Sequence, residues 1–146
     1  MSAEDNKAKV RAFYEQAVNK GELTAVDALV ATAEIAHYSG GTVGQNTPAS
    51  VKKWVVAIRA AFPDIHVTVE DLIADGDKLV NRVTYRGTHA GELNDPVWGR
   101  IAPTGREITW MAIAINRFAG GKSVEAWDLM DDSGIWQQLG VIPAPA

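Results

Sequence analysis

Asp128 is the side chain of this sequence best suited to move a proton. It lies in Ser123-Val-Glu-Ala-Trp-Asp-Leu-Met-Asp131, whose two-residue period sets Val124, Ala126, Asp128 and Met130 on one face. A carboxyl group in that apolar company loses hydration, which raises its pKa toward the range where it exchanges protons near neutrality. The structural alternative is an Asp128 that faces solvent or hydrogen-bonds a nearby indole or backbone N–H. Asp131 and Asp132 extend the acidic run, but they precede Gly134 at a strand end and are expected to be solvated or to cap a last helix. His37 is the second candidate, a proton partner for a carboxylate from a segment without regular periodicity, with Tyr38 beside it. A lone loop histidine serves equally well as a surface or structural residue. His66 falls on the polar face of an alternating run and is expected to be exposed, whereas His89 ends a long strand and could line a pocket mouth.

Trp54, Trp98, Trp110, Trp127 and Trp136 are many indoles for this length. Core and interface packing accounts for most of them, and one or two lining a pocket for a flat hydrophobic ligand is the sharper reading. Ala112 and Ala114 are small mid-strand residues that leave room for a ligand or for a closely packed helix.

These residues need elements to hold them. Glu107 to Phe118 alternates with Ile108, Trp110, Ala112, Ala114, Asn116 and Phe118 on one face, Gly120-Gly121 supplies a tight turn, and Ser123 to Asp131 returns. Both faces of the first strand are largely apolar, which suits a strand covered on two sides. Upstream, Asn6 to Asn19 reads as a helix stopped by Lys20-Gly21. Thr24 with Asp27 suggests a capped short helix over residues 25–31. Residues 34–46 look irregular. Thr47-Pro48 opens a third helix whose stripe is Val51, Trp54, Val55, Ile58 and Phe62. Residues 65–74 and 78–89 read as a hairpin around Asp75-Gly76-Asp77, and residues 90–106 form a long loop of the kind that often covers a site. Ile135 to Leu139 is a final helical turn or two. Helices first and strands after predict one α+β domain over residues 1–146, with three N-terminal helices packed in the concave face of a strongly curved, mainly antiparallel sheet. A pocket is expected between the layers.

A net charge of −4 without a basic cluster argues against nucleic acid. No run reaches the roughly 20 apolar residues of a membrane helix, and the polar start is unlike a secretory signal, so a cytoplasmic location is expected. The chain has no cysteine, three scattered histidines and no phosphate-binding loop or nucleophile elbow, so neither metal nor cofactor is expected.

With these residues in view, the chain resembles the SnoaL-like polyketide cyclase (ester cyclase) family, within the superfamily of nuclear transport factor 2 and ketosteroid isomerase. The likeness spans nearly the whole chain and is carried by Phe62-Pro-Asp-Ile-His66, Val83-Thr-Tyr-Arg-Gly-Thr-His-Ala-Gly91, Ala102-Pro-Thr-Gly-Arg106, and Gly121-Lys with Glu125-Ala-Trp-Asp128 running on to Gln138-Leu-Gly140. It implies a cone-shaped, cystatin-like fold, a homodimer or higher homo-oligomer formed through the sheet, and a hydrophobic pocket for a polyketide-like carbonyl substrate. It also implies an intramolecular aldol closure in which an aspartate matching Asp128 carries the proton. An asparagine at the family's pocket mouth falls at about His37, and its glutamine and histidine on the preceding strand fall at Ala112 and Ala114. Residues and resemblance together give Asp128 and His37 as the expected catalytic residues, with Tyr38, Trp54, Tyr85, His89, Trp98, Trp110, Ala112 and Ala114 expected around the substrate. Two other functions fit the same residues: a non-catalytic domain that binds an apolar small molecule, and an epoxide hydrolase, which would need an arginine such as Arg82, Arg86 or Arg117 among its aspartates.

Overall fold

The computed structural model describes residues 2–145. Helix α1 (Ala3–Ala12) begins under a capping box in which Ser2 and Asp5 exchange hydrogen bonds, and it widens into a π-helical turn over Phe13–Val18. That turn buries Tyr14, Ala17 and Val18. Gly21, at φ +77°, takes the left-handed conformation that ends the run, and its N–H bonds the Ala17 carbonyl at 2.9 Å. Helix α2 (Thr24–Leu29) is shorter than the sequence suggests. Thr24 lies inside it, and Leu23 occupies the cap position without a side-chain hydrogen bond.

Residues 34–46 are not irregular. Their polar composition hides a two-residue period, and they contribute to strand β1 (Val30–His37) and strand β2 (Val43–Asn46), an antiparallel pair turned through Gly40-Gly41. Helix α3 (Pro48–Ala61) starts as expected, with the Thr47 hydroxyl accepting the Ser50 N–H at 3.1 Å. Val55, Ile58 and Phe62 are buried, but Trp54 stays 37% exposed. Strands β3 (His66–Asp75) and β4 (Lys78–Thr88) follow. The 90–106 loop contains a small hairpin, β5 (Leu93–Asp95) and β6 (Gly99–Ile101). Strands β7 (Glu107–Ala119) and β8 (Lys122–Met130) turn at Gly120-Gly121, both with positive φ, and helix α4 (Asp132–Leu139) closes the chain. Asp131 caps α4, its carboxylate accepting the Gly134 N–H at 3.0 Å.

The main sheet runs β2-β1-β8-β7-β4-β3. Every neighbouring pair is antiparallel except β1 and β8, so the sheet is mixed rather than uniformly antiparallel. The fold is α+β, with helices packed against one face. That inner face carries the core, from Val67, Leu79 and Val83 to Ile108, Trp110 and Phe118. Register shifts between Arg117 and Phe118, which leaves Val124 without a partner. Ser123, fully buried, therefore takes the inward position the plain alternation assigned to Val124.

The Gly87-Thr-His-Ala-Gly91 stretch closes β4 onto the end of α3. The N–H groups of Ala90 and Gly91 both bond the Ala61 carbonyl, at 3.1 and 3.0 Å. A Cβ on Gly91 would lie 2.0 Å from the Ala60 carbonyl oxygen, so only glycine fits. His89 is 0% exposed and lies tilted on Phe62 at 5.5 Å, inside the core rather than at a mouth. Its Nδ1 accepts the Thr104 N–H at 3.2 Å, tying the long loop to the strand end, and burial pushes its pKa down. Gly91→Ala is expected to destabilise the fold by about 1–3 kcal/mol through overpacking against backbone. Chemical denaturation measures this; an unchanged midpoint would mean that the α3 terminus can retreat.

Candidate active site

One row of the sheet builds the site. Asn81 on β4 stands opposite Ala114 on β7, and Ala114 stands opposite Asp128 on β8. Paired residues share a face, so Asp128 points to the helix-covered side along with Asn81 and Ala114. Its neighbours there are small: Ala112 is opposite Met130, and Ala126 lies between Ala36 and Asn116. The carboxylate stays open to water although it is set mid-sheet. Protein encloses it at longer range. Burial, then the charge of Glu34, raise the Asp128 pKa to about 6. Two surface depressions, about 340 and 420 Å³, lie beside α1 and contain none of these residues.

Three phenols surround Asp128. Tyr14 from the π turn, Tyr38 after β1 and Tyr85 from β4 all have pKa values raised first by burial, and the Asp128 charge adds to the shift at each. Tyr85 stacks flat on Trp110 with ring centroids 5.1 Å apart and 2° between planes, making an aromatic floor. Tyr14 donates to Asn81 at 2.9 Å. From there the Asn81 amide donates to Asn116 at 3.3 Å and the Asn116 amide to Ser123 at 3.0 Å. This buried ladder satisfies polar groups that would otherwise be costly on an inward face and holds Tyr14 in place. On the other side Tyr38 donates to Asn46 at 2.6 Å, and Asn46 donates to Glu34 at 2.9 Å.

His37 does not join Asp128. The β1–β8 register sets it opposite Trp127, whose side chain alternates to the outer face, and the two rings stack at 4.9 Å with 3° between planes. His37 and Arg117 both donate to Glu125, at 2.9 and 3.0 Å, and these bonds, that from His37 foremost, hold the Glu125 pKa below its ordinary value. Trp98, 46% exposed at the β5–β6 hairpin, meets Trp136 edge-on at 6.0 Å, while the Trp136 N–H donates to Asp95 at 2.8 Å. Tyr38, Tyr85, Trp110, Ala112 and Ala114 share the inner face with Asp128; His37 lies on the outer face, and His89 is packed inside the core against Phe62. The inward Glu34, Asn46, Tyr14 and Asn81 escaped the sequence reading. Asn81 and Asn116 did leave a signal, as amides at the inward positions of otherwise apolar strands. Among the described residues no group of three or more histidine or acidic side chains is placed to hold a metal ion. No helix among them is long and apolar enough to cross a membrane.

Comparison with known proteins places this architecture. The family model of the SnoaL-like polyketide cyclases matches residues 8–139. Among solved structures, AclR from Streptomyces galilaeus, a candidate hydroxylase, is 26% identical with a TM-score of 0.81, covering 99% of this chain and 87% of its own. A candidate polyketide cyclase from Acidithiobacillus ferrooxidans is 27% identical with a TM-score of 0.77, covering 97% and 99%. IdmH from Streptomyces antibioticus, another candidate polyketide cyclase, is 28% identical with a TM-score of 0.74, covering 92% and 98%. No curated protein matches the chain. With a matched model that spans most of its length, the chain belongs to the SnoaL-like polyketide cyclase family.

Proposed function

We propose that this protein is a cyclase-type enzyme in which Asp128 is the general acid/base on a hydrophobic, polyketide-like carbonyl substrate. Asp128 takes a proton from the carbon next to a carbonyl, and the resulting enolate carbon attacks a second carbonyl of the same molecule. A carbon–carbon bond forms, and the new alkoxide oxygen recovers the proton from Asp128. The observation that carries this reading is an inward carboxylate of raised pKa, exposed to a ligand, with the small Ala114 opposite it. Tyr85, stacked on Trp110 beside Asp128, is the group we assign to the developing enolate oxygen. His37, on the outer face, has no part in this step. The same inner face would serve a domain that only binds an apolar molecule, and turnover separates the two readings. Epoxide hydrolysis has less support, because Arg82 pairs with Asp71 and Arg117 with Glu125, away from Asp128.

The outer face supports the proposed homodimer. Ile35, Met111, Ile113 and Leu129 are 47%, 43%, 39% and 64% exposed on three neighbouring strands, a patch that a second copy would dry. Light scattering is expected to give twice the 15.7 kDa chain mass, and Ile113→Lys to return it to one. A monomeric native protein would remove the dimer from the proposal.

Asp128→Asn is expected to lower turnover of a carbonyl substrate at least about 100-fold. In the native enzyme kcat/KM should rise with pH to a plateau, with a midpoint near 6, because the base acts ionised. Full activity in the variant would refute the assignment. The same variant tests the electrostatics without substrate. The folded state holds the Asp128 proton more tightly than the unfolded chain, so ionising it as pH rises from about 4 to 6 costs stability. Asp128→Asn should therefore be the more stable protein at pH 7, by on the order of 1 kcal/mol once the water-accessible carboxyl is discounted, with the gain gone below pH 4.

A further inference from the structure

The geometry points to Glu34 as a positioning residue of the Asp128 site: it orients Tyr38 through Asn46 and lies as a second acid on the face that Asp128 occupies. Glu34 is 3% exposed, and its hydrogen-bond partner among the described residues is the Asn46 amide, with no lysine, arginine or histidine paired to it there. Burying a carboxylate with an amide as sole partner is costly, which makes its inward placement a feature to explain. Asn46 presents its Nδ2 to the Glu34 carboxyl and so turns its Oδ1 away. Tyr38 then has to donate to that Oδ1, as the 2.6 Å contact shows.

The phenol proton of Tyr38 is thereby committed to Asn46. What Tyr38, 41% exposed, offers on the Asp128 side is an acceptor oxygen. The pairing of His37 with Trp127 brings Tyr38 level with Asp128 on the adjacent strand. The β1–β8 wall of the site therefore presents acceptors, an arrangement that matches a substrate hydroxyl or enol on this side and leaves its carbonyl for Tyr85. The titratable groups facing Asp128 are Glu34 and Tyr38 from β1 and its end, Tyr85 from β4 and Tyr14 from the π turn, and none of them is basic. The inference rests on the proposed role of Asp128, but it is tested on ligand-free protein and so fails or holds separately from turnover.

Carbon-13 NMR of the Asp128 carboxyl across pH 4–8 provides the test. The native midpoint is expected near 6. Glu34→Gln, which keeps the shape and removes the charge, should lower it by at least about half a unit, while Glu34→Asp should hold it near the native value. A folded Glu34→Gln protein with an unmoved midpoint overturns the proposal. A second reading uses the native chain alone. The side-chain amide of Asn46 should shift with the same midpoint as Asp128, because its acceptor senses the neighbouring charge, and an amide signal flat from pH 5 to 7 overturns the proposal as well.

Discussion

The alignment of Ala114 with Asp128 across β7 and β8 is the constraint on which the site depends. Because side chains alternate along a strand, a slip of one residue would move the carboxylate to the outer face and bring Trp127 inward. The turn at Gly120-Gly121 fixes the local pairing, and the bulge at Val124 corrects the phase, so that Ser123 and Asp128 both turn inward. The amide ladder from Tyr14 to Ser123 reinforces this, since a slipped sheet would leave buried amides without partners. Stability and the proposed chemistry draw on the same register.

The two faces of the sheet divide the labour. Inward, alanines beside Asp128 trade packing for space, and the surrounding phenols and the flat Tyr85–Trp110 stack set the polarity of that space. Outward, Trp127 lies between the His37 ring and the Lys78 ammonium, 5.5 Å above it, while Glu125 collects hydrogen bonds from His37 and Arg117. The residue next to Asp128 in sequence is thus clamped from behind, which limits the freedom of the strand that carries the carboxylate.

Where local chemistry decides the outcome, the sequence was informative. The hydroxyl cap at Thr47, the glycine turn before β8 and the alternation of β7 are short-range signals, and the elements they announce are present. The inward direction of Asp128 was readable from the same alternation. The segment 30–46 was not, because its strands gain their periodicity from pairing: β2 on β1, and β1 alongside β8 from the far end of the chain. For the same reason Glu34 reads as one more surface acid, and His37 as a residue near the pocket. Only the parallel pairing with β8 reveals which of the two is turned inward. Trp54 marks a different limit, since helical spacing places it on the apolar stripe without saying how far the sheet extends beneath it.

That parallel pairing has a consequence for how the molecule comes into being. Ala36 pairs with Ala126 across a span of 90 residues, a long loop to close. The wall holding both acids is therefore a late product of assembly. A nascent or C-terminally shortened chain could gather much of the helical layer and the β3–β4–β7 meander while having no site at all.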